Sequence, residues 1–376
     1  MTFFPLRNDT ASWYAVFALA LAMILPPPAW ANPDRLKLPP GFTIEVYAEN
    51  LKEARQMALG GDGTVYVGSM RAGKVYAIRD GDGDGRAEQR WTVARGLTAP
   101  SGIAFHRETG DLYIGAIGDL FVLRDIDKHR NEPPKPELVT DEFPDERHHG
   151  WKYLGFGPDG HLYIPVGAPC NICLSEDPVF AALHRFDLTT RKTQLVASGI
   201  RNTVGFTWHP TSNQLWFTDN GRDWLGDDLP AEELNVITGP GQHFGYPFIH
   251  AGDVVDPEFG KGHNFADYEH PKLKMQAHAA ALGLAFYTGT TFPEKYRGAL
   301  FIAQRGSWNR SEKVGYQVIV VHMDGDRILG HEPFVSGWLR GQRDWGRPND
   351  VLMLPDGSLL ISDDKADQIY RVAYRG

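Results

Sequence analysis

Short runs of alternating apolar and polar residues, broken by Gly, Asp or Pro, recur along this chain at a regular interval. One unit repeats: an apolar strand, a turn containing Asp or Gly, then a second strand of the Leu-Tyr-Ile kind. It reads "MALGGDGTVYVGS" from Met57, "GIAFHRETGDLYIGA" from Gly102 and "LGFGPDGHLYIPV" from Leu154. It returns as "VGFTWHPTSNQLWFTD" from Val204, "LAFYTGTTFPEKYRGALFIAQ" from Leu284 and "VLMLPDGSLLISDD" from Val351. A period of two over such short runs predicts strands with one residue in two on each face.

A third strand is expected after each unit, at 74–79, 119–124, 183–188, 233–237, 316–322 and 368–374. The spacing of roughly fifty residues is that of propeller blades, with longer insertions before the fifth copy. A small sheet with two apolar faces is unstable alone, and stacking six around an axis buries those faces. The expected fold is therefore all-β, a six-bladed β-propeller spanning residues 32–376 as one domain. "GFTIEVYAEN", from Gly41, is a strand without a unit of its own. Thr43 to Ala48 is expected to pair as the outer strand of the last blade and so remove an open sheet edge.

Composition agrees with this reading: 41 glycines, 26 prolines and 12% aromatic residues favour short strands and turns. The net charge of −9, with no Lys/Arg cluster, argues against a nucleic-acid partner. At the N-terminus, "WYAVFALALAMIL" is too short to cross a bilayer comfortably, and "PPPAWA" places Ala29 and Ala31 in an Ala-x-Ala cleavage pattern. Residues 1–31 are read as a secretory signal peptide, with an uncleaved anchor as the alternative. No later stretch is long and apolar enough to span a membrane, so the mature chain is expected to be periplasmic or secreted. In an oxidising compartment Cys170 and Cys173 of "CNIC" read as a local disulfide.

Two kinds of chemistry are written into the loops. "DGDGDGRAE" sets Asp80, Asp82, Asp84 and Glu88 at alternate positions, a set of hard oxygen donors suited to a structural calcium ion or, equally, a charged Gly-rich hairpin turn. Elsewhere, polar residues sit where strands begin and end: His148 and His149 before the third copy, Arg201 and Asn202 before the fourth, and "DNGRDW" from Asp219 at the end of its second strand. His278 precedes the fifth copy, and Arg347, Asn349 and Asp350 precede the sixth. Equivalent positions in successive blades converge on one axis. Dinucleotide fingerprints, His-Glu-x-x-His and Gly-x-Ser-x-Gly are missing, which argues against nicotinamide chemistry and serine hydrolysis.

From "HHGWKYLGFGPDGHLYIPVGA", "GIRNTVGFTWHPTSNQLWFTDNGRD", "LGLAFYTGTTFPEKYRGALFIAQ" and "GRPNDVLMLPDGSLLISDD", the chain resembles the glucose/sorbosone dehydrogenase family over about Leu38 to Tyr374. The resemblance implies pyrroloquinoline quinone (PQQ) held with calcium over the channel, and hydride transfer from a sugar carbon to the quinone. It implies His149 as the general base, Arg201 and Asn202 as quinone contacts, and Arg201 also as electrostatic stabiliser. Gly221 and Arg222 would give main-chain carbonyls to the cofactor's calcium, and Arg347 would bind cofactor.

The departures are Ala168 in place of an Asp that orients the histidine, Asn349 in place of a second arginine, and no glutamine in "TAPSGIAF". Asp145, Glu146 or His148 are candidates to take over the orienting role. These departures fit a sorbosone-dehydrogenase-like branch, whose partners would be a small sugar and an unidentified electron acceptor. Two other readings stand beside it. One is a calcium-dependent lactonase using Asn202, Asp219 and Asn220; the other is a propeller that binds without catalysis. Specificity is expected in the segments 129–146 and 248–281, with Trp151, Trp224 and Trp308 as stacking faces for a pyranose, although core packing is the commoner task of Trp.

Overall fold

The computed structural model describes residues 1–2 and 33–376, so the expected signal segment falls, beyond Thr2, outside the described residues. Among the described residues no helix is long and apolar enough to cross a membrane. Six antiparallel sheets form the blades of the propeller. Their first strands are Ala54–Leu59, Gly102–His106, Gly155–Phe156, Phe206–Trp208, Ala281–Phe286 and Pro348–Met353, and most of them touch the first strand of a neighbouring blade around the axis.

Period-two patterning explains why the ring forms. In the second strand of the first blade, Val65 and Val67 pack toward the last blade, whereas Tyr66 between them packs toward the second blade. The alternation repeats in the fourth blade, where Leu215 and Phe217 face the third blade and Trp216 faces the fifth. Six apolar clusters result, each filling the space between two adjacent blades. No blade has a core of its own, so the unit of stability is the pair.

Phe42–Glu49 pairs antiparallel with Gln368–Tyr374, from Phe42 opposite Tyr374 to Glu49 opposite Gln368. The last blade is thus built from both ends of the chain, and Phe42 lies edge-on to Phe292, Tyr296 and Phe334 of the fifth.

Outer strands at Gln89–Arg95, Glu137–Thr140, Thr193–Ser198, Leu273–Met275 and Arg327–Val335 complete the other blades. The segment 129–146, expected to be a specificity loop, contains one of them. The long insertion expected before the fifth copy lies inside the fourth blade, between Glu232–Ile237 and Leu273–Met275. Part of it, Gln242–His243, adds a parallel strand to the third blade.

Candidate functional site

Loops at one end of the propeller enclose a cavity of about 350 Å³ whose lining includes His149, Arg201, Asn202, Gly221, Glu232 and Arg305. His149 lies in the link between the second and third blades. Its backbone is left-handed (φ 52°), and three other non-glycine residues of this region share that conformation: Trp224 (72°), His278 (63°) and Ala280 (54°). Non-glycine residues adopt it at a cost, and such cost collects at functional sites. Gly167 makes the arrangement possible, since a Cβ there would come within 2.6 Å of the His149 Cβ and 3.0 Å of its carbonyl oxygen.

The His149 Nδ1 lies 2.9 Å from the Ala168 carbonyl oxygen. A carbonyl only accepts, so Nδ1 carries the proton and Nε2 carries the lone pair. The residue that replaces the expected orienting Asp therefore does the orienting with its main chain. Asp145, Glu146 and His148 take no part in this hydrogen bond; the His148 ring instead packs against that of His149, with centroids 4.1 Å apart. Burial, then the nearby Arg201 cation and His148, hold the His149 imidazole well below its ordinary value. It is a neutral acceptor at neutral pH.

Arg201 starts the fourth blade because its N–H and that of Asn202 donate to the two carboxylate oxygens of Asp219, at 2.8 and 2.6 Å. The sixth blade repeats the device, with Arg347 N–H donating to Asp363 at 2.8 Å. The buried Arg201 guanidinium donates from Nε to the Asn171 carbonyl (2.8 Å), from Nη1 to the Asn220 carbonyl (3.0 Å), and from Nη2 to Asn171 Oδ1 (2.8 Å) and Asp223 Oδ2 (3.2 Å). Burial lowers its pKa, opposed by Asp223 and Asp219. Asp219, pushed up to about 6 by burial, is committed to the main chain, and the Asn220 amide donates to Glu232 and the Ala281 carbonyl. Of the residues that a calcium-dependent lactonase would use as ligands, Asp219 thus has both carboxylate oxygens engaged by the main chain.

A second cavity of about 600 Å³ adjoins the first and shares Arg55, Trp151 and Arg305 with it. Arg347 lines this second cavity rather than the one holding His149 and Arg201, and Lys365 adds another cation. Asp364 gathers the group, at 2.8 Å from Arg305 Nε, 3.1 Å from Arg55 Nε and 3.5 Å from Asn349 Nδ2. The Arg55 contact is an ion pair without hydrogen-bond geometry: Arg55 Nε and Asp364 Oδ1 are both buried without a hydrogen-bond partner among the described residues. Burial brings Arg55 down to about 10. Asp350 lies deeper, accepting from Met57 N–H (2.8 Å) and Tyr153 Oη (3.2 Å), and ties three blades together.

Arg55, Glu232 and Arg305 were not among the residues singled out from the sequence. Arg55 stands before the first repeat as Arg201 stands before the fourth, and Arg305 follows the second strand of its blade as Asn220 does. Applying the same positional rule to every copy finds both. Glu232, pushed up to about 8 by burial, carries no comparable signal.

Gly221 lines the first cavity, and no described residue donates a hydrogen bond to the carbonyl of Gly221 or Arg222. The Arg222 side chain turns away to Asp256 at 2.6 Å. Trp308 and Trp224 are 63% and 67% exposed, contrary to the core role expected of most Trp, and meet edge-to-face at 5.4 Å. The segments 129–146 and 248–281 contribute only His278 and Ala280 to the first cavity.

Far along the first blade, carboxylate oxygens of Asp80, Asp82 and Glu88 lie within 4.8 Å of one another. Asp84, expected as a fourth member, is not one of them; its Oδ1 accepts from the Arg86 N–H of its own turn (2.8 Å). Cys170 and Cys173 are joined by a disulfide.

Comparison with known proteins places this geometry. An uncharacterised protein of Borreliella burgdorferi is 31% identical over 363 residues, covering 90% of this chain and 91% of its own. Two solved structures share the fold over 90% of this chain and 97% of theirs. One is the calcium structure of a Trichoderma reesei carbohydrate-active enzyme of family AA12 (18% identity, TM-score 0.77). The other is the holo form of the pyranose dehydrogenase PQQ domain from Coprinopsis cinerea (16% identity, TM-score 0.77). The TrAA12-like family pattern matches residues 36–335, and the chain belongs to that family.

Proposed function

We propose that this chain is an exported quinoprotein dehydrogenase that oxidises an aldose or a sugar aldehyde of the sorbosone kind, with PQQ and calcium as cofactors. One observation carries the reading: His149, its proton fixed on Nδ1 by the Ala168 carbonyl, shares a cavity with guanidinium groups of three blades, of which those of Arg55 and Arg201 are buried. A lone pair on Nε2 suits abstraction of a sugar hydroxyl proton, and the cations suit negative charge developing beside it.

The donor set fits the cofactor. PQQ is a tricarboxylate, and Arg55, Arg201, Arg305, Arg347 and Lys365 line the joined cavities. Arg55, whose Nε is ion-paired with Asp364 without hydrogen-bond geometry, lines both cavities and brings its cation to where a cofactor carboxylate would lie. The open carbonyls of Gly221 and Arg222 are hard donors for calcium. Bound there, PQQ would supply the two-electron acceptor. Asn202 and Trp151 bound the same space and limit how a substrate ring enters it.

Export rests on the N-terminal sequence, and the sorbosone preference on Ala168, Asn349 and the missing glutamine. The test is reconstitution of the purified protein with PQQ and calcium, followed by dye reduction with a panel of aldoses and sorbosone. Saturable quinone absorbance and sugar-dependent dye reduction are expected. Neither appearing would reject the proposal, and dye reduction by aldoses alone would reject its sorbosone part.

A further inference from the structure

Asn171 lines neither cavity, yet it accepts two of the four hydrogen bonds that the Arg201 guanidinium donates. It sits inside the four-residue ring closed by Cys170 and Cys173. That ring is itself anchored: the Tyr246 hydroxyl accepts from the Cys173 N–H at 3.0 Å and lies 3.4 Å from the Cys170 sulfur. From this loop the main-chain carbonyl of Asn171 takes the Arg201 Nε–H, and its side-chain oxygen takes an Nη2–H, both at 2.8 Å. The amide is held in one orientation because it pairs with the main chain of Asp223 in both directions, accepting from its N–H at 2.8 Å and donating to its carbonyl at 3.2 Å.

A guanidinium has five N–H groups in a planar fork. Four are used within the protein, two of them on Asn171, which leaves one for a ligand. Asn171 is neutral, so it fixes the plane of the fork without cancelling its charge. A disulfide ring of four residues, pinned at both ends on Tyr246, removes the freedom that a loop of this length would otherwise have.

We propose that Asn171 is a positioning residue for Arg201, and that the Cys170–Cys173 disulfide serves to hold Asn171 in place. The proposal rests on the reading of the site given above in assigning Arg201 a task in sugar oxidation, but its geometry belongs to the apoprotein. His149 reports on it, because the Arg201 cation is one of the groups that keep the imidazole uncharged. The other ionisable groups around His149 are His148 beside it and Arg55, Asp223, Glu232, His278 and Arg305 of the same cavity, which no variant below alters.

The experiment compares wild type, Asn171→Ala and the double variant Cys170→Ser/Cys173→Ser, all as full chains. In the apoprotein, histidine NMR titration is expected to show the His149 midpoint moving upward by roughly half a pH unit or more in Asn171→Ala as the freed cation spreads its charge away. The shift in the double variant has the same sign and is smaller. With quinone and calcium bound, Asn171→Ala is expected to lose about 10²-fold in kcat, with the sugar KM unchanged. Should the alanine variant fail to fold, Asn171→Gln, which overreaches by one methylene, gives the same upward shift. An unchanged His149 midpoint overturns the proposal whatever turnover does. If wild type takes up no quinone, the dehydrogenase reading fails, while the titration still decides the role of Asn171.

Discussion

His149 shows how a single position combines three physical demands. Its left-handed backbone turns the imidazole into the cavity wall, the Ala168 carbonyl selects the tautomer, and burial beside Arg201 suppresses the charged form. The sign for catalysis follows directly. A base is inactive when protonated, and its pKa is lowered from about 6.5, so activity is retained to lower pH than an ordinary histidine would allow. The acid limb of a kcat/KM profile is therefore expected to have its midpoint below about 6.5. A midpoint at or above that value would mean that the base is another group or that the imidazole is solvated.

At the scale of elements, the site depends on close approach between the loop that enters the third blade and the loop that follows its second strand. Gly167 ends its second strand, and a Cβ there would meet His149 and, at 3.3 Å, the Arg201 carbonyl. Gly167→Ala is expected to cost about 1–3 kcal/mol in stability, measured by denaturant unfolding. It is also expected to lower kcat about 10²-fold through misplacement of the base. Wild-type turnover in that variant would show that the contact is not needed.

The same scale decides what the sequence revealed. First, second and third strands were legible because each is apolar on both faces, as "LYI" and "LWF" advertise. Most outer strands were not: Gln89–Arg95, Thr193–Ser198 and Arg327–Val335 face solvent for much of their length and carry no apolar pattern. The one outer strand foreseen, at 43–48, stood out because it had no unit of its own. In the site, His149 and Arg201 were placed by position within the repeat. Glu232 and Asn171 were invisible, since their significance lies in partners 12 and 30 residues away.

For the whole molecule, closing the ring buries acids as well as apolar surface. Burial pushes Glu232 up to about 8 and Asp350 up to about 7, and raises Glu233 as well. The unfolded chain releases these protons first, so the stability these groups contribute is fully present below the ordinary carboxylate range and is lost as pH rises through the folded values. His148, His149, His184, His243 and His250, which burial holds below the ordinary imidazole value, are neutral in both states above about 6.5, and the acids set the trend from there to about 8. Tm, measured in chelator so that no metal contributes, is expected to fall across that window. A constant or rising Tm would show that these carboxyl groups are already ionised in the folded protein.

On the proposed function, one cavity brings a neutral histidine base and a set of fixed cations to a quinone and a sugar. The measurement that addresses it most directly is the anaerobic absorbance spectrum of protein loaded with PQQ and calcium, taken before and after addition of sugar, for wild type and His149→Ala. Both proteins are expected to bind the quinone, with sugar reducing it in wild type and that reduction lost in His149→Ala. Reduction at the wild-type rate in His149→Ala, or no quinone bound by wild type, would contradict the proposed function.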